Sequence, residues 1–160
     1  MGTGELVDPE RSNKQTTRAL QLRDGMGFLA RVVSARANQL FEDLTAQDKI
    51  TPRQFGALLI LRQQGPLTLT ELALCISVDR STLTEMVRRM SRDGLITRSG
   101  NGQDRRSAVV ALTTEGEAAL ARLTPGAAAV QDVLLAQLSS ADRRQLLRWM
   151  KLIAEEDTPP

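Results

Sequence analysis

The sequence predicts a mainly α-helical chain with one small β-hairpin, on three observations. Apolar residues recur every three or four positions through most of the 160 residues. Capping residues and Gly or Pro punctuation divide them into about six helices. One stretch, Leu95 to Gly116, instead alternates about a loop rich in Ser, Gly, Asn and Gln, the pattern of a strand-turn-strand unit.

The first 18 residues, MGTGELVDPERSNKQTTR, carry few large apolar groups and are expected to form a flexible arm. From Leu22 onward, Leu22, Met26, Leu29, Val33, Ala37, Leu40 and Leu44 mark a long amphipathic first helix. Thr51-Pro-Arg-Gln supplies an N-cap, a proline at the first helical position and a capping-box glutamine for a second helix, which Gly65-Pro66 ends. Thr70 is the expected cap of a short third helix, Glu71 to Ile76, followed by the turn Ser77-Val78-Asp79. Asp79 caps a fourth, Arg80 to Arg92, with Leu83, Val87 and Met90 facing inward and Asp93-Gly94 closing it. Arg80, Ser81, Thr82, Thr84, Glu85, Arg88 and Arg89 are left mostly outside. The hairpin strands are Leu95 to Arg98 and Ala108 to Leu112, with Asp104, Arg105 and Arg106 at the tip. Thr113 caps a fifth helix to about Leu138, bent at Pro125-Gly126. Ser139, with Asp142 three residues on, caps a sixth that contains Leu146, Leu147, Met150 and Ile153.

Composition narrows the function. With no histidine and a single cysteine, zinc ligand sets and an internal disulfide are not expected, and no cofactor is implied. Acid-base catalysis near neutral pH would fall to perturbed carboxylates, lysine or arginine, so an enzyme is the poorer reading. No run of about 18 apolar residues is present to span a bilayer, and the polar N-terminus, with acids in it, is unlike a targeting peptide; a cytoplasmic location is expected. The net charge is only +2, but Asp79 to Arg106 holds seven arginines against four acids. The positive charge is therefore concentrated in the fourth helix and the hairpin, and the remainder is slightly negative.

Helix, tight turn, helix and basic hairpin, in that order, describe a winged helix-turn-helix. Its second helix enters the major groove of duplex DNA and its hairpin reaches the backbone or minor groove. Small hydroxyls at Ser81, Thr82 and Thr84 let the helix approach base edges, while arginines farther along pair with phosphates. Single-stranded nucleic acid is disfavoured by an aromatic content of 2% and no tyrosine. The rival readings are a solvated basic face on a ligand-binding or protein-interaction module, and an enzyme built on carboxylates and arginine.

The segment VDRSTLTEMVRRMSRDGLITRSGNGQDRRSAVVALTTEG resembles the MarR-type transcriptional regulators, specifically in its DRR…V-x-LT-x-x-G portion and more loosely over all six helices. The resemblance implies one domain over residues 19–156 beyond the arm of residues 1–18. Within it, the winged helix-turn-helix covers about 51–113 and dimerisation helices about 19–46 and 114–156. It further implies Arg80, Ser81, Thr82 and Thr84 near bases, Arg88 and Arg89 toward phosphates, and Asp104 orienting Arg106 in the minor groove, with Arg105 a backbone contact. Asn-Gly-Gln replaces the family's frequent Asp-Pro step before Asp104, and the N-terminal cysteine of the peroxide-sensing branch is missing. Cys75 is expected to be a small buried packing residue.

The resemblance also implies a homodimer formed through the N- and C-terminal helices, for which Leu134, Leu135, Leu138, Leu146, Leu147, Trp149 and Ile153 supply apolar surface, a monomer's own core being the competing account. A two-fold dimer implies a near-palindromic operator. By the same resemblance an effector, a small aromatic or anionic compound, contacts Met26, Leu29, Val33, Phe55 and Leu59, with Arg36 meeting its anionic group. Plain core packing and a snorkelling arginine are the competing account of those six residues.

Overall fold

The computed structural model of the protein describes residues 21–100 and 108–155. The hairpin tip, with Asp104, Arg105 and Arg106, lies outside them. The chain separates into two compact units that divide after Ala37.

In the first unit a 3-10 turn at Leu22–Asp24 precedes α1 (Met26–Leu44). Met26, Leu29, Val32 and Val33 are exposed along this part of α1, and Arg31 lies 5.7 Å over the Phe28 ring.

The second unit begins within α1, where Leu40 and Phe41 are buried. Next comes α2 (Pro52–Gln64), started by the expected capping box of Thr51 and Gln54. Gly65, at φ +82°, ends it in a conformation that only glycine adopts freely. A two-residue strand, β1 (Leu67–Thr68), leads into α3 (Leu69–Cys75), and a turn with Ser77 at φ +51° joins α3 to α4 (Arg80–Arg92). The wing strands are β2 (Ile96–Ser99) and β3 (Val109–Leu112); α5 (Thr114–Leu134) and α6 (Ser140–Glu155) complete the order.

Four expectations change. The cap of α3 is Thr68, not Thr70: its hydroxyl accepts from the Glu71 N–H at 3.3 Å, while the Glu71 carboxylate accepts from the Thr68 N–H at 2.8 Å. The reciprocal pair satisfies two otherwise orphaned donors, and the helix starts two residues early. The hairpin becomes a three-stranded antiparallel sheet of order β1-β3-β2, with Leu67 opposite Val110 and Arg98 opposite Val110 on the other side. The fifth helix stops at Leu134, short of Leu138, with Leu135 as its C-cap. Cys75 is exposed, because this short helix turns Leu69 and Leu72 into the core and leaves Leu74 and Cys75 outside.

The core gathers Leu58 and Leu61 of α2, Leu72 of α3, Leu83, Val87 and Met90 of α4, Val110 of β3 and Leu120 of α5, all nearly inaccessible. Such a core fixes α4 by the face opposite the one it exposes. Phe41 and Phe55 pack with ring centroids 5.4 Å apart.

Candidate nucleic-acid interface

The start of α4 is built by Asp79. Its carboxylate accepts from the Thr82 N–H at 2.9 Å, from the Thr82 hydroxyl at 2.5 Å and from the Ser81 hydroxyl. These donors, led by the Ser81 hydroxyl, hold the Asp79 carboxyl well below the usual carboxylate range. The carboxylate also sits at the positive end of the helix dipole, where an anion is favoured. Both hydroxyls are thereby oriented and keep a lone pair free to accept from a base edge. Thr84 donates instead to the Arg80 carbonyl at 2.8 Å.

The other end is closed as expected. Gly94 takes φ +74°, and the Leu95 N–H donates to the Met90 carbonyl at 2.9 Å, the six-to-one bond of a Schellman stop. Thr113 then ties this corner to α5. Its hydroxyl donates to the Gly94 carbonyl at 2.7 Å and accepts from the Gly116 N–H at 3.0 Å.

Arg80, Ser81, Thr84, Arg88 and Arg89 are exposed and Thr82 is half-buried, so the six α4 residues expected at DNA share one helix and line its outer side. Two arginines are not free, however. Arg88 donates to both Glu85 oxygens, at 2.9 and 2.8 Å, and Arg89 donates to one of them at 2.9 Å. The two guanidinium groups pull the Glu85 carboxyl down to about 2, and the carboxylate in turn raises Arg88. Sequence reasoning left Glu85 without a role. The signal was present, because a glutamate three and four residues before a basic pair faces both on a helix.

The residues expected at an effector belong to two helices. Met26, Leu29, Val33 and Arg36 are exposed on α1, whereas Phe55 and Leu59 are half-buried on α2 and pack against the core. None of the six lines the two adjoining hollows beside α4, of about 330 and 500 Å³, which share Thr51, Gln54 and Arg89. Leu147, Trp149, Met150, Leu152 and Ile153 are exposed on α6. Among the described residues no cluster of three or more His, Cys, Asp or Glu is placed to hold a metal, and no helix is long and apolar enough to cross a membrane.

Comparison with known proteins bears on this geometry. The MarR family profile matches residues 50–108, the span from the start of α2 to the edge of β3. A putative transcriptional regulatory protein for the hcr operon of Thauera aromatica is 30% identical over 83% of this chain and 81% of its own. The PcaV transcriptional regulator from Streptomyces coelicolor, solved in complex with its natural ligand, superposes with a TM-score of 0.74 at 26% identity, covering 85% of this chain and 96% of that one. A mutant of MarR from E. coli, solved complexed with operator DNA, gives a TM-score of 0.72 at 27% identity over 80% and 92% of the two chains.

Proposed function

Because the chain belongs to the MarR family of transcriptional regulators, we propose that it is a cytoplasmic homodimeric repressor that binds a near-palindromic duplex operator and is released by a small aromatic or anionic effector. The observation that carries the reading is α4, capped by Asp79 and seated on the core, with Arg80, Ser81 and Thr84 presented on an exposed face. A helix held by its buried face and presenting small hydroxyls is what major-groove docking requires. Arg88 and Arg89 go to phosphates. Asp104, Arg105 and Arg106, outside the described residues, are proposed DNA contacts of the wing, with Asp104 orienting Arg106 toward a narrow minor groove. A dimer seated across a promoter occupies the surface that polymerase needs, which makes repression the simplest outcome.

Large apolar side chains exposed on α1 and, separately, on α6 support the dimer, since uncovered apolar surface marks an association site. The proposed organisation is a winged helix-turn-helix over about 51–113 with dimerisation helices to either side; the arm expected over residues 1–18 lies outside the described residues. Met26, Leu29, Val33 and Arg36 of α1 are proposed effector contacts, the guanidinium meeting a carboxylate or phenolate. Release is a population shift: the effector binds better to a lobe spacing that does not fit successive major grooves.

Gel shift with the duplex upstream of the protein's own gene tests this. A salt-sensitive band that aromatic acids dissolve is the expected result, with Arg36→Ala raising the acid concentration needed. No band with any promoter duplex refutes the DNA-binding reading, and an unchanged acid response in Arg36→Ala refutes the effector contact.

A further inference from the structure

α4 carries four arginines, and three of them are matched by carboxylates of the same corner: Arg88 and Arg89 by Glu85, and Arg92 by Asp93 at 3.1 Å. Among the described residues Arg80 alone of the four has no such partner. Ion pairs this exposed contribute little to stability and are screened by salt, so the fork is poorly explained as a brace for the helix. Its consequence lies at DNA. A phosphate must displace Glu85 to engage either guanidinium, and the carboxylate brings a like charge toward the polyanion.

We infer that Glu85 is a specificity-determining residue: its carboxylate accepts a hydrogen bond from the amino group of a cytosine in the major groove and, on other sequences, withholds Arg88 and Arg89 from the phosphates. The inference rests on the duplex-binding reading above. Spacing supports it, since Thr84 and Glu85 lie three and four residues after Ser81 and four and three before Arg88, which puts them on the same side of the helix. A face that brings Ser81 and Thr84 to base edges brings Glu85 there too. Chemistry selects the base. A carboxylate only accepts, and cytosine offers the N4 amino donor, whereas adenine sets its amino group beside the N7 acceptor and guanine and thymine present acceptors. At a cytosine the carboxylate exchanges three arginine N–H donors for the base amino group, and both guanidinium groups pass to phosphates. Elsewhere no donor waits, and the fork stays shut.

The test uses the full chain and a duplex that the wild-type protein has enriched from a random-sequence pool. Fluorescence anisotropy is read for wild type, Glu85→Gln and Glu85→Ala, with each C·G pair replaced in turn by T·A and with a scrambled duplex. At one C·G pair per half-site wild type is expected to lose about tenfold or more in affinity, and both variants less than about threefold. On the scrambled duplex both variants should bind more tightly, by about eightfold at 0.1 M salt, with a salt slope steeper by about one, because one negative charge has been removed. Equal losses in all three proteins at every C·G pair overturn the inference, as does unchanged affinity for the scrambled duplex. If the wild-type protein enriches no duplex, the DNA-binding reading itself fails, which is a different result.

Discussion

The substitution Gly116→Ala isolates the joint between α5 and the sheet. A Cβ built on Gly116 meets the Leu95 carbonyl oxygen at 2.1 Å and Leu112 Cδ1 at 2.8 Å. The overlap with the oxygen exceeds an ångström, and the obstacle is backbone, which cannot swing away as a side-chain end would. That carbonyl also accepts from the Thr113 N–H at 3.2 Å, so moving it weakens the link to the residue that caps α5. Overpacking costs about 1–3 kcal/mol, and the strained hydrogen bond adds about 0.5–1.5 kcal/mol. Alanine returns at most about 1 kcal/mol through helix propensity. The net loss is about 1–3 kcal/mol, a fall of about 3–10 °C in Tm for a chain of this size. Gly56 supplies the control. It lies inside α2 with nothing within 4 Å of its added Cβ, so Gly56→Ala should raise Tm by about 2–4 °C. Thermal melts followed by circular dichroism, at one fixed protein concentration because association shifts Tm, decide it. If Gly116→Ala melts at or above wild type, the close approach does not govern this corner.

Three more outcomes are expected. Asp79 and Glu85 have depressed folded-state pKa values, so their contribution is complete above the ordinary carboxylate range and is lost as pH falls below about 4. Helical content and DNA affinity should therefore be flat from pH 6 to 8 at constant salt, and a step in either across that window would contradict the capping geometry. Arg106→Ala should weaken operator binding with the melting temperature unchanged, and Arg88→Ala should flatten the salt slope by about one; anisotropy titrations between 50 and 300 mM salt read both. Trp149→Glu with Ile153→Glu places charge on the exposed face of α6 and should yield a monomer in light scattering, where a persisting dimer would move the interface elsewhere.

What the sequence disclosed and what it hid have physical causes. Thr51, Asp79 and Ser139 were legible as caps because capping is settled within four residues, and each makes the predicted bond. Thr68 carried the same signature with Glu71, but the nearby Thr70 competed for the role. β1 was not legible, because two residues show no periodicity and become a strand only by pairing with β3. Cys75 was misread because composition gives a residue type's average burial, while orientation on a seven-residue helix depends on which side the core lies. The basic face of α4 was visible from charge and spacing. The fork that restrains it became clear only when the Glu85 distances were known, although the i, i+3 and i, i+4 relations were there to read.

Thr113 has a consequence for how a signal could cross the molecule. One hydroxyl grips the carbonyl of Gly94, where α4 ends, and the amide of Gly116, where α5 begins. With the Leu95 carbonyl packed close against Gly116, two hydrogen bonds and a backbone contact join the two helices at a single corner. A tilt imposed on α5 is therefore expected to turn α4 about that corner, as in a bell crank. On the duplex-binding reading proposed above, what reaches DNA would be the heading of α4, with half-site spacing following from that heading.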